Sequence, residues 1–121
     1  MAKQELIVKD KRPLIDRIQE YVNILNAELG VDQAFLYGST AKGKRHRDSD
    51  VDLIIVSESF SKMPEPKRWG LLQHLWRYKE DLETLAYTPS EFAKIKEERF
   101  LMQKILQYAI DLTPRKKRQV L

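Results

Sequence analysis

The chain has 121 residues, 42% of them hydrophobic, and carries 22 Lys+Arg against 18 Asp+Glu for a net charge of +4, with no cysteine. That length and apolar content specify one folded domain with a real core and exclude disorder by composition. Disulfides and thiolate metal sites are excluded, no stretch approaches the roughly 18 continuous apolar residues of a membrane span, and Met1-Ala2-Lys3-Gln4-Glu5 lacks the apolar core of a signal peptide, so a cytoplasmic protein without membrane contact is expected.

In chain order, Ile15, Ile18, Val22, Leu25 and Leu29 recur at helical spacing and predict a helix over 12–29, with Pro13 in its first turn and Gly30 as its stop. Ala34 to Tyr37 reads as a short buried strand ending at Gly38, followed by a short helix. Asp52 to Val56 reads as a second strand, with a β-branched apolar run. Pro64 and Pro66 mark a loop. Lys67 to Lys79 predicts a helix with Trp69, Leu72, Leu75 and Trp76 on one side, so that both tryptophans are core and His74 is structural. Leu82 to Tyr87 is a third strand. Thr88-Pro89-Ser90-Glu91 is a capping box with Pro89 at the first helical position, and helix resumes from Glu98 to about Tyr108.

The order of elements predicts a small α/β (α+β) fold, a mixed β-sheet flanked by helices. Residues 1–114 form the single domain, and 115–121 a basic tail containing Arg115-Lys116-Lys117-Arg118. That tail reads as a solvated terminus, with RNA as its weaker alternative.

Chemistry concentrates between Gly38 and Leu53. A Gly38-Ser39 turn after an apolar run exposes backbone N–H groups that attract oxyanions. Asp50 and Asp52, one residue apart at a strand, point the same way and can hold divalent cations. Lys42, Lys44, Arg45 and Arg47 lie in the intervening loop, and at least one of them is expected to touch phosphate or acceptor; His46 is a surface histidine. Gly38-Ser39-Thr40-Ala41-Lys42-Gly43-Lys44 nearly fits a P-loop, but Arg45 stands where a hydroxyl must coordinate magnesium, which argues against it. A turn for phosphates and carboxylates for cations together equip the chain for chemistry on a nucleoside triphosphate.

Gly38-Ser39, ten residues, then Asp50-x-Asp52 resembles the signature of the minimal nucleotidyltransferases of the DNA polymerase β-like superfamily. Ala41, Gly43, Ser49 and the apolar Leu53 to Val56 agree with the same pattern, and Tyr87-Thr88-Pro89-Ser90-Glu91-Phe92 resembles a segment that follows the third strand in small members. The resemblance implies the polymerase β-like nucleotidyltransferase fold. It implies that Gly38, Ser39 and Lys42 hold the triphosphate, and that Asp50 and Asp52 bind two Mg²⁺ ions. A third carboxylate on the third strand is also implied. Glu83 stands there in place of the usual aspartate, with Asp81 as the alternative if the register differs.

The resemblance further implies transfer of a nucleoside monophosphate, AMP from ATP, to a hydroxyl of a partner such as a HEPN-domain toxin. The alternative is a nucleotide-binding antitoxin that masks its partner without catalysis. Phe100, Leu101, Ile105 and Leu106 could serve a homo-oligomer as readily as a core.

Overall fold

The computed structural model describes residues 10–46 and 49–115. The N-terminal residues behind the signal-peptide reading, Arg47, and Lys116-Lys117-Arg118 of the basic tail lie outside them. Among the described residues no helix is long and apolar enough to cross a membrane.

Helix α1 (Leu14–Leu29) starts after Pro13 and ends at Gly30, whose φ of 80° places it in the left-handed region that glycine tolerates. Its buried side is Ile18, Tyr21, Val22 and Leu25, while Ile15 faces outward, a correction to the expected stripe. Four strands form one sheet in the order β3-β2-β1-β4: β1 (Gln33–Tyr37), β2 (Val51–Val56), β3 (Leu82–Tyr87) and β4 (Ile110–Asp111). β2 runs antiparallel to β1 and parallel to β3, so the sheet is mixed, as expected. β4 pairs antiparallel with β1 and was not expected, because two residues carry no periodicity.

β2 is central and buried on both faces, which is why Leu53 to Val56 is continuously apolar. Leu53 and Ile55 pack with Ala34, Leu36, Ile18, Val22 and Leu72 on one side. Ile54 and Val56 pack with Phe92 and Met102 on the other.

Helix α3 (Glu65–Leu75) begins earlier than expected, since Pro66 fits a first turn, and a 3-10 turn (Glu58–Lys62) precedes it. The helix also ends earlier. Trp76 leaves it with extended backbone, buries its ring between Tyr21 and Tyr78, and donates its indole N–H to the Glu80 carbonyl at 2.6 Å.

The expectation that Trp69 is core is wrong: it is 57% exposed, and Arg68 is buried instead. Arg68 donates to the Met63 carbonyl (2.9 Å), the Ala86 carbonyl (3.1 Å) and the Glu91 carboxylate (2.7 Å). Gln73 donates to the Leu82 carbonyl at 2.7 Å. Side chains of α3 therefore cover the outer edge of β3, which would otherwise present unpaired carbonyls. His74 is exposed, against the expectation that it is structural.

The capping box holds: Thr88 accepts from the Glu91 N–H, the Glu91 carboxylate accepts from the Thr88 N–H, and α4 (Pro89–Glu98) begins at Pro89. Arg99 breaks the chain between α4 and α5 (Phe100–Tyr108). On α5 Met102 is buried, whereas Phe100 and Leu101 are exposed.

Candidate active site

Side chains alternate along β2, so Asp52, Ile54 and Val56 share the sheet face covered by α4 and α5. The helices cover Ile54 and Val56 and leave Asp52 at the open end. Pairing of the strands sets Asp52 opposite Tyr37 of β1 and opposite Glu83 of β3, so the three residues form a row across the sheet. Glu83, not Asp81, is therefore the neighbour of Asp52. Asp81 precedes β3 and meets β2 through its backbone, its carbonyl accepting from the Val51 N–H at 2.8 Å.

β1 runs straight into α2 (Gly38–Ala41) at the end of this row. Gly38 has φ of +73°, and a Cβ there would sit 2.2 Å from the Asp52 Oδ2. Any other residue would both strain the backbone and displace the carboxylate. The turn therefore requires glycine for two separate reasons.

Electrostatics knit the carboxylates together. Burial first, then repulsion from Glu83 and Asp50, pushes the Asp52 carboxyl up to about 6. Tyr37 is pushed up to about 12, again by burial first and then by Asp52 and Glu83. Among the described residues, none of Asp50, Asp52 and Glu83 belongs to an ion pair. No three acidic or histidine side chains among them converge on one metal position.

Even so, the donors are hard carboxylate oxygens that repel one another around a glycine cleared of side chain. That set suits Mg²⁺ or another hard divalent cation. Three surface cavities, of about 320, 390 and 500 Å³, lie elsewhere, and none is lined by these carboxylates.

Around this row the remaining expected residues are dispersed. Ser39 is half-buried in the turn, and its carbonyl accepts from the Lys44 N–H at 3.0 Å. Lys42 is exposed, with its Nζ 4.5 Å from the centre of the Tyr108 ring. Asp50 stands just before β2 and is half-buried. Arg45 turns inward rather than toward the turn's open side: its guanidinium donates to the Ser49 carbonyl at 2.7 Å. His46 is exposed, as expected.

The structure adds a residue to which no local pattern pointed. The Tyr108 hydroxyl, at the end of α5, accepts from the Gly38 N–H at 3.3 Å. Only the return of α5 to this end of the sheet brings Tyr108 to the turn, a long-range event that sequence spacing does not encode.

Strand order, the glycine turn and the carboxylate row together define a domain built around a glycine turn beside an acidic strand. The chain belongs to the nucleotidyltransferase domain family, whose pattern it matches over residues 18–119. No curated protein matches it.

Solved structures resemble it in fold. One is a Sulfolobus solfataricus protein assigned to the nucleotidyltransferases, 17% identical, with a TM-score of 0.62 over 89% of this chain and 86% of that one. Another is from a toxin–antitoxin complex solved with AMP-PNP, 16% identical, with a TM-score of 0.55 over 82% of this chain and 75% of that one. A third is from a mutant of the MntA–HpeT toxin–antitoxin, 15% identical, with a TM-score of 0.53 over 82% of this chain and 75% of that one.

Proposed function

We propose that this chain is a Mg²⁺-dependent nucleotidyltransferase that moves AMP from ATP onto a hydroxyl of a partner protein. The carrying observation is the row Tyr37–Asp52–Glu83 set against a turn where any Cβ would lie 2.2 Å from the Asp52 carboxylate. Carboxylates that repel one another beside a glycine turn are what a triphosphate with its cations would relieve.

In this reading the Gly38 turn, Ser39 and Lys42 hold the β- and γ-phosphates. Asp50, Asp52 and Glu83 are the ligands for two divalent cations, which when bound stabilise charge on the attacking and leaving oxygens. Glu83, exposed and one methylene longer than the aspartate usual in this position, accepts the acceptor's proton. The acceptor oxygen bonds to the α-phosphorus, the bond to the bridging oxygen breaks, and pyrophosphate leaves.

The partner is proposed to be a HEPN-domain toxin. Support comes from the fold shared with proteins of toxin–antitoxin complexes, one of them solved with AMP-PNP.

A second reading is a nucleotide-binding module that masks its partner without transfer. It is favoured by the exposure of Glu83 and the lack, among the described residues, of three acidic groups converged for metal.

Calorimetric titration of ATP, GTP, CTP and UTP with Mg²⁺ tests both readings, on wild type, Asp50→Asn and Asp52→Asn. Magnesium-dependent binding that both substitutions abolish supports the site. Label transferred from α-labelled ATP to a co-produced partner then supports the enzyme. Binding without transfer supports the masking module, and a folded wild type that binds no nucleotide overturns both.

A further inference from the structure

Asp52 and Asp50 are held in different ways. Asp52 lies inside β2, paired on one side with Tyr37 and on the other with Glu83. Asp50 lies outside the strand, and the first ladder bond belongs to Val51, whose N–H donates to the Asp81 carbonyl. The loop leading to Asp50 starts at Lys42; among its described residues the N–H groups of Lys42, Gly43 and Lys44 donate back to Gly38, Thr40 and Ser39, and the Ser49 N–H donates to the His46 carbonyl.

Arg45 adds side-chain contacts that tie this loop to the neighbouring segments. Its side chain is 23% exposed, so most of it is folded beneath the loop. One guanidinium nitrogen donates to the Ser49 carbonyl at 2.7 Å and lies 3.5 Å from the Thr40 hydroxyl. The other stands 4.0 Å from the Glu80 carboxylate. Glu80 is itself fixed, its side chain 5% exposed and gripped by both terminal nitrogens of Arg17 at 2.8 and 3.0 Å.

These three contacts fall on the segments that carry the site. Thr40 follows the Gly38-Ser39 turn, Ser49 immediately precedes Asp50, and Glu80 precedes β3 and Glu83. A planar guanidinium with five donors can grip three segments at once, whereas an ammonium on a flexible stem cannot hold that geometry.

We infer that Arg45 is a positioning residue: anchored on Glu80, it fixes the Ser49 carbonyl and so sets the position of Asp50, the residue that follows, at the entry to β2. It does for Asp50 what the strand ladder does for Asp52. The inference rests on the proposed reading of the three carboxylates as cation ligands. It removes Arg45 from the loop cations available to touch phosphate.

The test is Mn²⁺ affinity of the whole chain, followed by electron paramagnetic resonance without nucleotide and paired with thermal melts. Arg45→Ala is expected to weaken Mn²⁺ binding about tenfold, the scale for residues that orient metal ligands. Arg45→Lys, which keeps the charge near Glu80 but not the fork, should lose about threefold. Leu25→Ala supplies the contrast. It truncates a fully buried residue of α1 outside the Arg45–Glu80 contacts and lowers the melting temperature at least as much, yet should leave Mn²⁺ affinity within about twofold.

Wild-type Mn²⁺ affinity in both Arg45 variants overturns the inference. So does a loss in Leu25→Ala that follows its loss of stability, because Arg45 would then act only through the fold. A wild-type chain that binds no Mn²⁺ overturns the underlying reading of the carboxylates instead, which separates the two failures.

Discussion

The two faces of the sheet are built from the same strands and end differently. On the face toward α1 and α3, Ala34, Leu36, Val51, Leu53 and Ile55 are all buried, and apolar cover extends along the whole of β2. On the face toward α4 and α5, cover from Phe92 and Met102 reaches Ile54 and Val56 and stops. Where it stops stand Tyr37, Asp52 and Glu83. One face spends its side chains on stability, and the other gives up its last row to charge. On β2, substitution of Asp52 should therefore affect ligand binding, and substitution of the buried apolar residues on either face should affect stability, with little crossover.

The largest expected effect comes from Asp52→Asn, which removes one charge from the row. Affinity for ATP with Mg²⁺ should fall at least about a hundredfold by calorimetry, since a proposed cation ligand becomes a neutral amide. The metal-free protein should unfold at the same or higher urea concentration, because the Asp52 charge is opposed by its neighbours. A variant that loses both binding and stability would break the division between the faces.

Leu53→Ala, one residue along and on the opposite face, should do the converse. Leu53 is fully buried, and its truncation should cost about 3 kcal/mol in urea melts while leaving nucleotide affinity unchanged in the folded fraction.

How much of this was legible in sequence follows from the range of each interaction. β3 and the capping box at Thr88 are local patterns, and the structure places them as read. Glu83 over Asp81 required the β2–β3 register, which spacing alone left open. Trp69 was read as core because tryptophan at helical spacing is usually buried. Arg68 displaced it, since the Ala86 carbonyl at the sheet edge and the Glu91 carboxylate both needed a donor. Such a debt is invisible until the sheet exists. β4 and Tyr108 were missed for the same reason: their partners, β1 and Gly38, lie far away in the chain.

Gly38→Ala sharpens the comparison at the junction of the faces. The left-handed backbone costs an alanine about 1 kcal/mol, and its Cβ must push the Asp52 carboxylate aside. A modest loss of stability should accompany about a tenfold loss of Mg²⁺–ATP affinity, the scale of a misplaced ligand group.

Stability against pH should carry the signature of the open end. The Asp52 carboxyl sits at about 6 in the folded chain against an ordinary 3.8, so the folded state binds its proton more tightly than the unfolded state. This group's contribution is therefore fullest below about pH 4 and is lost as pH rises through about 6. Urea melts in chelator at pH 4.5, 5.5 and 7 should show that decline in wild type. Asp52→Asn should lack that component, while Leu53→Ala should keep it, offset by a constant amount.

The smallest effect concerns the one residue that reaches the open end from the covering helices. Tyr108 places its hydroxyl on the Gly38 N–H at 3.3 Å and its ring under the Lys42 ammonium at 4.5 Å. Both groups are expected phosphate ligands, so Tyr108 occupies in the free protein what a triphosphate would need. A 3.3 Å hydrogen bond in a half-buried place is a weak competitor, of about 1 kcal/mol or less. Tyr108→Phe keeps the ring, and hence the contact with Lys42, but frees the Gly38 N–H. Mg²⁺–ATP should then bind about two- to threefold more tightly, with the melting temperature nearly unchanged. Weaker binding in Tyr108→Phe would mean that the hydroxyl holds the turn open for nucleotide rather than competing with it. The end of α5 would then belong to the site, and the boundary between covered core and charged row would lie one helix further out.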